Sequence, residues 1–264
     1  MAEKCAIDLG YQADEGFVLK VVQLAEILVV RHCCFIIGTT GCSKSAVWKT
    51  LKRANTQGGR RTQTDIIDPK AIVADELYGF MNLKTNEWKD GVLSVIMRDM
   101  NKAQNKYADD HEQKWVILDG DVDPEWIESL NTVMDDNKVL TLVSQERIPM
   151  TASMRLILEV SNLRSATPAT VSRGGVLFIN DADIGWRPFF DSWLMKYKKS
   201  GPKGAHHDMA ENVFTLSLTT YVSDSFLDDL RHKNHIAPVV DLGHIDTLTT
   251  IIDQLCDELK GSKK

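Results

Sequence analysis

No apolar run in this sequence is long enough to span a bilayer. The longest, "EILVVRHCCFIIG" from Glu26 to Gly38, is interrupted by Arg31 and His32. The opening "MAEKCAIDLG" lacks the apolar centre of a signal peptide, so a location in the cytosol, or a space continuous with it, is expected. Basic charge is in deficit, with 31 lysines and arginines against 37 aspartates and glutamates. The resulting charge of −6 argues against general affinity for nucleic acid or an anionic membrane. Cysteine is sparse: Cys5, Cys33, Cys34, Cys42 and Cys256 form no C-x-x-C pair, which indicates neither a zinc site nor a disulfide framework. No internal repeat is visible. What is present is 43% hydrophobic residues beside 26% charged ones, a balance that builds a sizeable core and excludes general disorder.

Apolar residues at helical spacing (Phe17, Val21, Leu24, Leu28) predict a helix over 16–30, and "CCFIIG" predicts a buried strand after it. "SAVWKTLKRAN" reads as a helix, "TQGGRRTQ" as a loop and "TDIIDPKAI" as a strand that stops before Pro69. "DELYGFMNLKTNEWKDG" mixes a helical turn with hairpin-like turns, and "VLSVIMRDMNKAQ" is a helix. "KWVILDGDVD" is a buried strand with acidic residues past its end, and "PEWIESLNTVMDD" a helix with Pro124 at its start. "KVLTLVSQERIPM" reads as strand, turn and strand; "MRLILEVSNL" is another buried strand, and "ATPATVSRGGVLFIN" a helical turn and a last strand. This alternation predicts an α/β fold with a mostly parallel sheet covered on both faces. The character changes to helical periodicity between about 181 and 205, which places a domain boundary there. His206 and His207, in the polar loop "GPKGAHHD", read as solvated residues, and the six tryptophans as packing residues.

The loop "GTTGCSKS" nearly spells the phosphate-binding pattern G-x-x-x-x-G-K-[ST], with Ser43 in place of the last glycine. A glycine loop between strand and helix aims backbone N–H groups at phosphate oxygens, and the helix N-terminus adds favourable potential. The expected contacts come from Gly38, Thr39, Thr40, Gly41, Cys42 and Ser43. Lys44 is expected to reach the β- and γ-phosphates, and the Ser45 hydroxyl to bind Mg²⁺. Ser43 adds a Cβ at some cost to the loop but leaves lysine, hydroxyl and backbone donors in place. Cys42 is either a reactive thiol or a packed one. Asp119, closing "WVILDG", is expected to hold the ion through water. Hydrolysis needs a carboxylate next to it, and the neighbour is Gly120, so the site reads as built to bind and not to turn over. A rescuing base, Asp121 or Asp123, is the competing possibility. Arg173, after a short helix in "PATVSRGG", is either a surface arginine or one facing a neighbouring subunit.

With these parts in hand, "IIDPKAIVADELYGFMNLKTNEWKDGVLS", "WVILDGDVDPEWIESLNTVMDDNKVLTLVSQERI" and "RSATPATVSRGGVLFIN" resemble the second AAA+ module of a dynein heavy chain. The similarity runs from about Gly16 to Leu259, and its wording points to axonemal outer-arm, β-type chains, with cytoplasmic dynein as second choice. The resemblance implies an AAA+ P-loop fold, with a large α/β subdomain over 1–185 and a small helical lid over 186–264. It implies one of six unlike modules of a motor ring, binding ATP or ADP with Mg²⁺ and not hydrolysing it. Neighbouring modules and the linker of the same heavy chain would be its partners; intermediate and light chains and microtubules would be met only through the whole motor. Arg173 then matches an arginine finger acting in trans on the preceding module, and Asn162 the polar sensor of the γ-phosphate. Asp75–Gly91 matches the insert that reaches toward the linker, and Val139–Ile148 the insert before the sensor strand. Ser43 departs from the family's third glycine. A weakly active ATPase module and a nucleotide-free scaffold are the alternatives. The implied location is cytoplasmic and cytoskeletal, in a cilium or flagellum axoneme.

Overall fold

The computed structural model describes residues 1–82, 84–102, 112–200, 212–213, 215–216, 220, 222, 224–233 and 240–261. Five strands form its main sheet in the order β2 (Arg61–Ile67), β5 (Glu112–Asp119), β8 (Met154–Val160), β1 (Cys33–Ile37), β9 (Gly175–Phe178). Every neighbouring pair in it is parallel. Parallel neighbours need crossovers, and the helices that supply them cover both faces, so the central strands read as unbroken apolar runs.

Alternation along each strand sorts the side chains between two cores. Phe35, Ile37, Val116, Leu118, Leu156, Leu158 and Val160 face one side, where Leu93 and Met97 of α5 (Val92–Lys102) pack. Cys34, Ile36, Trp115, Ile117 and Ile157 face the other, against α2 (Glu15–Val30) and α3 (Lys44–Gln57). Each such side chain contributes about 1.5–3 kcal/mol when fully buried. The expected spacing in α2 is the buried one: Phe17, Val21, Leu24 and Leu28 all lie on the core side. Asp14 starts that helix by accepting from the Gly16 N–H at 3.0 Å, and Arg155 donates to the Leu28 carbonyl near its end at 2.9 Å.

Two antiparallel hairpins stand outside the sheet, β3 (Gly79–Asn82) with β4 (Glu87–Asp90), and β6 (Val139–Thr141) with β7 (Arg147–Pro149). Arg98 ties them together, donating to Asp90 and to Glu146 at 2.8–3.0 Å. A third apolar cluster joins Trp186, just before α10 (Arg187–Ser200), to Phe190, Trp193 and Leu194 of α10, Leu227 of α11 (Asp224–Arg231) and Ile245 of α12 (Asp241–Gly261).

Three local expectations need correction. The strand expected from Thr64 begins at Arg61, inside the stretch read as a loop, because all seven residues of β2 pair with β5. It is an edge strand, so its polar side chains can face outward. The helix expected from Pro124 is broken into α6 (Pro124–Ile127), a 3₁₀ turn (Glu128–Leu130) and α7 (Asn131–Met134). Ser129, Asn131, Thr132 and Val133 are weak helix formers, and the chain tightens there. Helix α1 (Ala2–Asp8), not anticipated, buries Cys5 and Ala6. His206 and His207 lie outside the described residues.

Candidate functional site

The loop 38–45 leaves the C-terminal end of β1, a central strand, and enters α3 directly. Gly38 is anchored by its N–H to the Val160 carbonyl at 3.1 Å. A Cβ on Gly38 would lie 2.3 Å from Cys42 Sγ and 2.5 Å from the Ile179 carbonyl oxygen, so only glycine fits. Cys42 itself is 6% exposed and packs in the α2–α3 core, an environment that favours the packed over the reactive thiol. Gly41 has φ 86°, and a Cβ there would lie 2.9 Å from Leu242 Cδ2.

Ser43 has φ 70° and ψ 20°, the left-handed conformation for which a phosphate loop ordinarily uses glycine. Serine at a helix N-cap usually sits in extended geometry and accepts from the first turn. Ser43 does neither, and its side chain makes no capping hydrogen bond. The first N–H groups of α3 therefore keep the positive end of a 14-residue helix open to an anion. Lys44 Nζ donates to the Gly38 and Thr39 carbonyls, each at 2.8 Å, which holds the ammonium over the loop.

Sequence reasoning missed the residue at the centre of the site. Glu159 of β8 is 3% exposed and lies in register between Ile36 of β1 and Asp119 of β5. It shares the sheet face of α3: Ser45 Oγ donates to Glu159 Oε2 at 2.7 Å, and the Trp48 indole N–H donates to Oε1. Burial pushes its carboxyl above the usual range, opposed by these two hydrogen bonds; the neighbouring Asp119 charge adds to the rise. The signal was available as the lone charge inside the apolar run "LILEV".

Beyond Asp119 the chain turns away, with the Gly120 N–H on the Glu159 carbonyl at 3.1 Å. A Cβ at Gly120 would meet Asp68 Oδ1 and Pro69 Cδ, both at 3.2 Å. Asp121 Oδ1 accepts from the Ser161 N–H at 2.8 Å and from the Ser161 hydroxyl, and Oδ2 faces Lys70 at 3.4 Å. The Ser161 hydrogen bonds hold the Asp121 carboxyl below the usual range. Asp123 caps α6 by accepting from the Glu125 N–H. Asn162 lies just past β8, with Nδ2 on Ser161 Oγ at 2.9 Å and Oδ1 accepting from the Arg164 N–H at 3.1 Å. Arg173 ends α8 (Pro168–Arg173) and faces Asp135 at 3.8 Å. It precedes Gly175, which pairs with Cys34 near the start of β1, so Arg173 lies at the sheet edge opposite the loop.

Behind the loop is a cavity of about 400 Å³ whose lining includes Tyr11, Gln12, Phe17, Ser43, Trp193 and Asp246. These come from the N-terminal segment, α2, the loop, α10 and α12, and apart from Ser43 sequence reasoning had not assigned them to the site. The Gln12 N–H donates to Ser192 Oγ at 2.8 Å, which joins two of its walls. The residues present fit a nucleotide with Mg²⁺. Backbone donors and Lys44 suit phosphate, the Ser45 hydroxyl gives its one proton to Glu159 and keeps lone pairs for a cation, and the cavity suits a nucleoside. Among the described residues no helix is long and apolar enough to cross a membrane.

Comparison with known proteins agrees with this geometry. Residues 34–173 match the model of the AAA domain, dynein-related subfamily. The chain is 43% identical over 253 residues to the dynein beta chain of the flagellar outer arm of Chlamydomonas reinhardtii, covering 96% of this chain and 5% of that protein. It is 54% identical over 194 residues to the ciliary dynein beta chain of Tripneustes gratilla, covering 74% and 4%. With human dynein axonemal heavy chain 17 the identity is 47% over 253 residues, covering 96% and 5%. The chain thus spans about a twentieth of the length of these relatives. With the parallel sheet, the loop after β1 and the matched stretch in agreement, the chain belongs to the dynein-related subfamily of AAA domains.

Proposed function

We propose that this chain is the second AAA+ module of an axonemal dynein motor ring, and that it holds ATP or ADP with Mg²⁺ without hydrolysing it. The loop from Gly38 to Ser45 takes the phosphates, Lys44 neutralises their charge, and the cavity bounded by Tyr11, Phe17 and Trp193 takes the nucleoside. Ser45 and Asp119 are the residues that hold the ion. Mg²⁺ supplies charge neutralisation of the phosphates when bound. The large α/β subdomain is assigned to 1–185 and the helical lid to 186–264.

One observation carries the non-hydrolysing assignment: the residue beside Asp119 is Gly120, hemmed in by Asp68 and Pro69. A general base must lie within hydrogen-bond reach of the attacking water and be free to take its proton. Asp121 is engaged by Ser161 and held in its charged, weakly basic form. Asp123 is engaged as a helix cap, and both oxygens of Glu159 already accept. Among the described residues, the nearby carboxylates of Asp121, Asp123 and Glu159 are all engaged, while the loop and Lys44 that would bind phosphate are present, which supports binding without turnover.

Arg173 is proposed to act on the nucleotide of the preceding module, which accords with its place at the edge away from its own loop. Asn162 is proposed as the sensor of the γ-phosphate. The hairpins β3–β4 and β6–β7 are proposed to face the linker and neighbouring modules, and the assembly is placed in the cilium or flagellum because the relatives are named as flagellar, ciliary and axonemal chains. Calorimetric titration with ATP, followed by product analysis of the same sample, tests the reading. Binding with intact ATP recovered supports it; no heat at millimolar nucleotide refutes it. The second reading is a nucleotide-free scaffold, favoured by one observation, the engagement of Lys44 with the loop's own carbonyls. The same titration separates the two.

A further inference from the structure

We infer that Glu159 is a positioning residue of the metal half of this site: it orients the Ser45 hydroxyl toward the cation and links that hydroxyl to Trp48. The inference rests on the nucleotide-binding reading above and adds to it a residue and a readout.

An indole N–H can only donate, and a hydroxyl has one proton to give. Trp48 donates to Oε1 and Ser45 to Oε2, so both oxygens of Glu159 are acceptors. With its proton committed to β8, Ser45 Oγ has its lone pairs left for other partners. The hydroxyl is thereby fixed as an acceptor toward anything that approaches, which is the polarity a cation requires. Asp119 brings a second carboxylate to the same sheet face, in register beside Glu159. The core fixes this geometry. Trp48 is 3% exposed, Glu159 also 3%, and the flanking Ile157 and Val160 are buried. A charge in such a place is costly unless fully hydrogen-bonded, and here each oxygen has a named donor. No other assigned part of the site accounts for a carboxylate at this position.

Glu159→Gln is a sharp perturbation because the indole dictates how the amide must sit. Trp48 can only donate, so the amide oxygen must face it, which leaves the NH₂ facing Ser45. The hydrogen bond to Ser45 then reverses: the hydroxyl accepts from the amide and one lone pair is lost to the cation, together with one negative charge. Partners that orient metal ligands from behind are typically worth about 10–100-fold in metal affinity.

The experiment titrates ATP into the 264-residue protein in EDTA and in Mg²⁺, for the parent, Glu159→Gln, Ser45→Ala and the double variant. The expected result is that Mg²⁺ strengthens binding to the parent and that this enhancement falls about tenfold or more in Glu159→Gln. Affinity in EDTA should stay close to that of the parent. Glu159→Gln should cost clearly less of the enhancement once Ser45 is alanine, because the orienting part of the effect passes through that hydroxyl. A lower melting temperature with an unchanged Mg²⁺ enhancement would show a merely structural glutamate and overturn the inference. A parent that binds ATP neither in EDTA nor in Mg²⁺ removes the nucleotide reading, and this inference with it. A second readout leaves Glu159 intact. Adding Mg²⁺ to the ATP-saturated parent should change Trp48 emission, identified by subtraction of Trp48→Phe, and Ser45→Ala should abolish the change. A silent Trp48 in the parent would contradict the coupling.

Discussion

Replacing Ser43 by glycine should stabilise the protein, an uncommon outcome for a substitution to glycine. Ser43 sits at φ 70° and ψ 20°, where its Cβ crowds the following carbonyl at a cost of about 1–2 kcal/mol for a residue other than glycine. Glycine removes that strain but gives the unfolded chain more freedom, a loss of roughly 0.5–1 kcal/mol. No capping hydrogen bond from the serine side chain is forfeited. The difference is a net gain of about 0–1.5 kcal/mol, or an unfolding midpoint raised by up to roughly 6 °C for a chain of this size. Thermal unfolding followed by far-UV circular dichroism measures it. Ser43→Ala is the matched control: it keeps the strained backbone and should melt close to the parent. Gly41→Ala should move the other way by roughly 1–3 kcal/mol, since φ is 86° and the new Cβ meets Leu242 Cδ2 at 2.9 Å. If Ser43→Gly melts clearly below the parent, the serine side chain stabilises the loop in a way the strain argument omits, and the reasoning fails.

Gly38→Ala should destabilise by about 1–3 kcal/mol or prevent folding, because its Cβ would sit 2.5 Å from the Ile179 carbonyl as well as against Cys42; chemical denaturation reads this directly. Gly120→Glu should not create an ATPase, since its stem would be crowded by Pro69 and by the Asp68 carboxylate at 3.2 Å. A working general base would raise turnover by about 10²–10⁴-fold, so a phosphate-release assay settles that point. Asp121→Asn should flatten acid unfolding. The carboxyl is held low in the folded state, mainly by the Ser161 hydroxyl, so its stabilisation is present above about pH 4 and lost as pH falls through the folded value. With the side chain 41% exposed, the effect should stay under about 1 kcal/mol, measured as the difference in unfolding free energy between pH 6 and pH 2.

The parts of this fold that the sequence makes legible are those in which local pattern and tertiary context agree. The spacing of Phe17, Val21, Leu24 and Leu28 is the buried face of α2, and "CCFIIG" is a strand buried on both sides. The start of β2 was hidden because a polar edge strand owes its conformation to its neighbour, and Arg61 and Thr62 carry no apolar alternation of their own. The glycine loop between strand and helix was legible, but the conformation of Ser43 was not, since a backbone angle leaves no mark on residue type except when glycine occupies it. Glu159 was overlooked for a related reason. A glutamate in an apolar strand can be recognised as anomalous, but its partners Ser45 and Trp48 lie more than a hundred residues earlier and meet it only in the folded chain.

The central claim is that this site binds nucleotide and leaves it intact. It is tested most directly by incubating the protein with ATP and Mg²⁺, separating bound from free ligand, and identifying the bound nucleotide alongside phosphate release. The expected result is bound ATP with no phosphate release above that of an Asp119→Ala control. Steady release of phosphate that the Asp119→Ala variant loses, or a protein that retains no nucleotide at all, would contradict it.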